Sequence, residues 1–140
     1  MKNMVSIFLC LMVVLLVTSC QNKKVPSGSS SSGLRSIYYD LDRSLIRSDS
    51  SVILEGNSAW LKANSGKNVT VEGHCDERGS NEYNLALGQR RIDSARDYLG
   101  NLGVGPNRIR TVSFGEEKPV CYQHDESCWW KNRRADFRSF

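Results

Sequence analysis

The chain has no apolar run long enough to cross a bilayer. Its longest, residues 5–17, holds 13 residues, against the roughly 20 that a spanning helix needs. Placed just after Lys2, such a run suits the core of an export signal and not a membrane span. A basic block is also missing: beyond Arg133-Arg134 the charges of both signs are interspersed. That excludes nucleic acid as a partner. No internal repeat is visible, which excludes a solenoid.

What is present begins with the export region. Val17-Thr-Ser-Cys20 places small residues just before a cysteine and resembles a bacterial lipobox. That resemblance implies diacylglycerol on the Cys20 thiol, cleavage before Cys20 and acylation of the new amine. The polar, Ser/Gly-rich run from Gln21 to Gly33 has nothing to bury and reads as a tether of roughly 20 Å root-mean-square span, about 45 Å when straight. The expected organisation is a signal at residues 1–19, a lipidated cysteine and tether at 20–34, and one folded domain at 35–140. Gln21 after the cysteine, where an aspartate would hint at inner-membrane retention, points by resemblance to the outer membrane. Removing the signal takes away Lys2 and no acid, so the formal charge falls from +4 to +3.

Five cysteines sort by position. Cys10 lies in the signal and Cys20 takes the lipid. Cys121 and Cys128 share a loop in an exported, oxidising setting, and a small-loop disulfide is the expected state. Cys75 is left unpaired.

The folded part carries one charge in an unexpected place. Read as a helix, the stretch from Asn84 to Leu102 has a stripe of Leu87, Arg91, Ala95, Tyr98 and Leu102, in steps of three and four. A guanidinium on a mostly apolar stripe is costly unless something anionic meets it. Upstream, the loop Gly73-His-Cys-Asp-Glu-Arg-Gly79 offers Asp76. An acid and an arginine facing one cavity suit a ligand with an amine and a carboxylate on one carbon. An ion pair between Arg91 and an acid such as Asp40 is the competing structural reading.

Around these residues the periodicities alternate between strand and helix. Residues 36–40 are β-branched and aromatic and read as a first strand. Ile53, Leu54, Asn57, Trp60 and Leu61 share a helical face within residues 50–64, with Ser48 or Asp49 as cap. Residues 67–73 form a second strand with Val69 and Val71 on one face. Ser80 caps the long helix and Gly103 closes it. Residues 108–114 form a third strand, 129–134 a helical turn and 135–140 a terminal strand. The expected class is α/β in the sense of an α+β sandwich, ordered β-α-β-α-β-β, with one mixed sheet covered by helices on one face.

The run from Thr70 to Arg91, with Asp76 in its loop and Asn84-x-x-Leu87-Gly88-x-x-Arg91 on its helix, resembles the OmpA-like peptidoglycan-binding domain. Within that family it is similar to the peptidoglycan-associated lipoproteins of the Tol–Pal system. Tyr38-Tyr-Asp-Leu-Asp-Arg43, Val112-Ser-Phe-Gly-Glu-Glu-Lys-Pro119 and Lys131-Asn-Arg-Arg134 support the likeness, which extends from Ile37 to the C-terminus. The resemblance implies non-covalent binding of the cell-wall stem peptide at its diaminopimelate residue, with no reaction and no cofactor. It implies that Asp76 meets the ammonium and that Arg91 forks onto the carboxylate, a geometry lysine cannot copy. Asn84 and Leu87 share that helix face, and Tyr39, Asp40 and Arg78 would wall the pocket. A Tol-type periplasmic partner such as TolB is implied in the same way.

The chain departs from the family pattern at Cys75, where a small residue is usual, at the cysteine loop with Trp129-Trp130 after it, and in the polar end Phe137-Arg-Ser-Phe140. The first alternative stays in the binding class, an OmpA-like lipoprotein that holds the wall without a Tol partner. The rival class is an enzyme of wall metabolism using Cys75 or a zinc site. The former would need His74 and Cys75 as a dyad, but adjacent residues on extended chain point to opposite faces. Cys121-x-x-His124-x-x-x-Cys128 resembles half of a zinc site, a reading the disulfide displaces.

Overall fold

The computed structural model describes residues 33–140. The expected signal, the lipidated Cys20 and all of the tether except its last two residues lie outside that range. Strand β1 (Ile37–Tyr38) is followed by helix α1 (Ser48–Ala63), strand β2 (Val69–His74) and the long helix α2 (Asn81–Asn101). A single 3-10 turn (Pro106–Arg108) leads into strand β3 (Ile109–Gly115), then helix α3 (Glu126–Asn132) and strand β4 (Arg134–Ser139). The four strands form one mixed sheet in the order β1-β4-β2-β3. Strand β4 runs antiparallel to both β1 and β2, and β2 runs parallel to β3. The expected sandwich is therefore observed, with β4, last in sequence, interior in the sheet. No helix among the described residues is long and apolar enough to cross a membrane.

The local signals explain the elements. Ser80 caps α2, its hydroxyl accepting from the Tyr83 amide at 3.2 Å, and Gly103 follows the helix at φ +89°, a conformation that glycine adopts without strain. Helix α1 departs from expectation: Arg47 occupies its cap position without a side-chain cap bond, and Ser48 and Asp49 already lie in the first turn. The Arg47 guanidinium instead pairs with Asp49 at 2.9 Å and Asp40 at 3.0 Å. Strand β1 is shorter than the five residues expected.

One face of the sheet holds the core. Val69 and Val71 of β2 and Ala135 and Phe137 of β4 point inward with Ile53, Leu54 and Leu61 of α1 and Ile92, Ala95 and Leu99 of α2. Helix α2 comes unusually close to the sheet. A Cβ on Gly73 would sit 2.5 Å from the Gly88 carbonyl oxygen, and one on Gly88 would sit 2.3 Å from the Ser113 hydroxyl. Two glycines thus let backbone meet backbone, and this contact sets the height of Arg91, one turn further along α2.

Candidate functional site

Arg91 is the largest of the fully buried side chains, 1% exposed. Its Nε donates to the Arg43 carbonyl at 2.9 Å and its Nη2 to the Asp40 carbonyl at 3.1 Å. Its Nη1 donates to the His74 carbonyl at 2.9 Å and to the Cys75 Sγ at 3.3 Å. One guanidinium therefore ties the loop after β1 to the end of β2. None of its hydrogen-bond partners is a carboxylate, so the competing ion pair with Asp40 is not formed. The Asp40 side chain faces Arg47 instead. Burial pulls the Arg91 pKa below its ordinary value, yet a guanidinium stays charged throughout the accessible pH range. The result is a buried cation held by three carbonyls, the Cys75 sulfur and the face of the Tyr39 ring, with no carboxylate among its hydrogen-bond partners.

That cation opens onto a cavity of about 320 Å³, lined among others by Leu41, Asp42, Asp76, Arg78, Asn84, Leu87 and Arg133. The sequence-predicted Asp76, Arg78, Asn84, Leu87 and Arg91 are thus brought together. Tyr39 and Asp40 do not line the cavity, and the Asp40 carboxylate turns to Arg47. Tyr39 is buried behind Arg91, donating its hydroxyl to the Arg91 carbonyl at 2.7 Å with its ring 5.2 Å from the guanidinium. Both residues support the wall from behind. The forked grip expected of Arg91 also needs correction. Four of its five N–H groups are engaged within the protein, which leaves one Nη2 hydrogen for an anion.

Asp76 sits across the cavity, 4% exposed. Its Oδ1 accepts from the Arg78 amide at 3.1 Å and the Arg78 Nε at 3.2 Å. Its Oδ2 accepts from Arg78 Nη2 at 2.7 Å and Arg133 Nη1 at 3.0 Å. Arg133 also binds Glu126 and the Tyr39 carbonyl. Asn84 holds the loop in place by donating to the carbonyls of Asp76 and Arg78, each at 3.2 Å. Arg133, Asp42 and Tyr83, whose hydroxyl donates to Asp42, are site residues that sequence reasoning did not single out. The Arg133-Arg134 pair stands out as adjacent basic residues, but nothing in its spacing ties it to Asp76, 57 positions away.

Burial acts to raise the Asp76 pKa, but the side-chain bonds from Arg78 and Arg133 outweigh it, and the group titrates below the ordinary aspartate range. The stability it contributes is fully present above the unfolded value of about 3.9 and is lost as the pH falls through the lowered folded-state value. Urea titrations from pH 7 to pH 2 are expected to show an acid-side loss of stability that Asp76→Asn flattens. An identical acid limb in both proteins would refute this assignment.

The remaining chemistry is inert. Cys121 and Cys128 form a disulfide with S–S 2.03 Å, so they offer no thiolates to zinc. Burial pushes the Cys75 thiol pKa up. Its Sγ contacts the Asn84 carbonyl at 3.3 Å, and it packs as a small residue. Glu72, His74 and Asp136 bring three ligand atoms within 4.8 Å of one another. However, Arg134 holds Asp136 at 3.0 Å and Arg138 reaches Glu72 at 3.4 Å. Burial first, then the charge of Arg134, with Lys118 and Arg138 adding to it, pulls the His74 pKa down to about 4.

Comparison with known proteins places this arrangement. The OmpA family model matches residues 38–133. The chain is 50% identical over 99 residues to the peptidoglycan-associated lipoprotein of Brucella melitensis, covering 71% of this chain but only 59% of that relative. To the peptidoglycan-associated lipoprotein of Mesorhizobium japonicum it is 38% identical over 148 residues, covering 92% of this chain and 88% of the relative. The crystal structure of the peptidoglycan-associated lipoprotein from Burkholderia pseudomallei superposes with a TM-score of 0.74 at 42% identity, over 76% of this chain and 90% of that one. These relatives are named for an association and not for a reaction. A matched domain, a shared fold and a high identity to wall-associated lipoproteins converge: the chain belongs to the OmpA family.

Proposed function

We propose that the chain is a lipoprotein of the outer membrane that binds peptidoglycan stem peptides without covalent chemistry and ties the membrane to the wall. The observation that carries this reading is the buried Arg91, a cation without a carboxylate partner, open to a cavity with Asp76 on its far side. The free end of a diaminopimelate residue carries one carboxylate and one ammonium on the same carbon. The carboxylate takes the remaining Arg91 Nη2 hydrogen, and the ammonium takes the acidic side of the cavity at Asp76. Leu87 supplies an apolar wall for the methylenes between. The relatives' name, peptidoglycan-associated lipoprotein, supports the ligand class.

The anchor belongs to the same reading. Residues 1–19 serve as the export signal, Cys20 takes the lipid, and residues 20–34 hold the domain, residues 35–140, within reach of the wall. Confinement beside a dense polymer raises the effective concentration, so modest single-site affinity suffices. A Tol-type periplasmic partner such as TolB, with a role in envelope integrity and cell division, follows from kinship with the Tol–Pal lipoproteins.

Competition decides the ligand claim. The domain is bound to purified peptidoglycan and eluted with a stem tripeptide ending in diaminopimelate, or with the same peptide amidated at its side-chain carboxylate. The free peptide is expected to elute at least about ten-fold better, since a lost charge-assisted hydrogen bond costs about 1.5–3 kcal/mol. Equal elution by both peptides would refute the role of Arg91 as carboxylate receptor.

A further inference from the structure

The carboxylate of Asp76 is fully engaged before any ligand arrives. A carboxylate offers about four lone-pair positions, and the Arg78 amide, Arg78 Nε, Arg78 Nη2 and Arg133 Nη1 use four. An ammonium can reach Asp76 only if one of the two arginines withdraws. The arginines differ in their freedom to do so. The Arg133 side chain is 7% exposed and is held by Glu126 and the Tyr39 carbonyl as well. The Arg78 side chain is 33% exposed and lies at the cavity rim.

Arg78 also has somewhere to go. Its guanidinium stacks 4.1 Å from the Trp129 ring centroid, and its Nη2 reaches Glu126 at 3.4 Å. Both contacts lie on α3 and are made while Arg78 still holds Asp76, so they remain to hold the guanidinium once it lets the carboxylate go. The exchange would also conserve charge: one cation leaves Asp76 and another arrives, so the buried carboxylate is never left bare. The Arg78 backbone amide keeps its bond to Oδ1 throughout, which preserves the loop.

We propose that the Arg78 side chain is a built-in stand-in for the ligand's ammonium, occupying the Asp76 subsite in the free protein and swinging onto Trp129 and Glu126 when the ligand enters. This rests on the stem-peptide reading above and adds to it a selectivity element. Only a ligand presenting its own cation displaces Arg78 without costing Asp76 one of its two cations, so amine-blocked peptides bind less tightly.

The test is calorimetric titration with the diaminopimelate tripeptide, alongside the same peptide acetylated at its side-chain amine. Arg78→Ala and Arg78→Gln both remove the competitor and are expected to bind the free peptide about five- to ten-fold more tightly than the parent protein. The acetylated peptide is expected to gain nothing. Unchanged or weaker binding of the free peptide by both variants, with melting temperatures like the parent's, would overturn the stand-in role. So would a gain shared equally by the acetylated peptide. An ammonium received at Asp42 would appear as binding lost in Asp42→Ala and unaltered in Arg78→Ala, which also overturns it. If Arg91→Lys weakens binding while Arg78→Ala does not strengthen it, the stand-in fails alone. If folded parent protein and variants all fail to bind, the pocket reading fails with it.

Discussion

Arg91→Ala is expected to weaken retention on purified peptidoglycan by at least about 30-fold, since truncating one partner of a buried charge pair costs about 2–5 kcal/mol. The same substitution strips hydrogen bonds from the carbonyls of Asp40, Arg43 and His74. Each carbonyl left buried and unpaired costs about 1–3 kcal/mol, so the variant is also expected to melt earlier. Arg91→Lys separates the two effects. Lysine keeps the charge but cannot span three carbonyls and an anion from one ammonium. It should recover part of the wall binding while remaining less stable than the parent. Co-sedimentation well below each variant's melting temperature, paired with urea titration, reads both. Retention by Arg91→Ala equal to the parent's would remove Arg91 from the site.

Phe137→Ala should produce the largest loss of stability among the core positions of the sheet, about 3–5 kcal/mol. Phe137 is 2% exposed and stands opposite Val71, across the β4–β2 pairing. Strand β4 is interior, with β1 on one side and β2 on the other, so the structure has little room to collapse into the space left. The adjacent Arg138 points to the other face, with 57% of its side chain exposed, and Arg138→Ala is expected to change stability by no more than about 0.5 kcal/mol. Urea midpoints of the two variants measure the contrast. Similar midpoints would mean that Phe137 is not the core residue its burial indicates.

Phe137 also illustrates how far pattern carries. The alternation through residues 135–140 reads correctly as a strand with Ala135 and Phe137 on one side, and the charges of Asp136 and Arg138 fall on the other. The polar look of this closing segment, set down as a departure from the family, reflects an outer sheet face where Arg134 and Arg138 pair with Asp136 and Glu72. Helix α2 was legible for a similar reason. Its Ser80 cap, its Gly103 stop and its stripe through Leu87 and Arg91 are all encoded within one element. Helix α1 was legible in its buried face and not at its start, because Arg47, Asp40 and Asp49 form an ion-pair cluster that no capping rule anticipates.

The site divides in the same way. Asp76 and Arg91 were found as a loop acid upstream of a helix that carries a cation on its apolar stripe, and the family pattern added Asn84 and Leu87 at helical spacing from Arg91. Arg133 was missed because its only claim on the site is a contact with Asp76 made through the fold. Tyr39 and Asp40 were placed on the wall by the family resemblance, whereas the Tyr39 hydroxyl reaches the Arg91 carbonyl and the Asp40 carboxylate pairs with Arg47.

By itself the sequence determined the elements, the face each one buries, the family resemblance and the presence of a cation among apolar residues. Those are properties of one segment at a time, set by period, capping and residue type. Only the tertiary structure decided that β4 is an interior strand, that the donors of Arg91 go mostly to carbonyls, and that Arg78 and Arg133 fill the oxygens of Asp76. These depend on which distant segments meet, and a guanidinium or carboxylate satisfies whichever neighbours the packed backbone brings within about 3 Å.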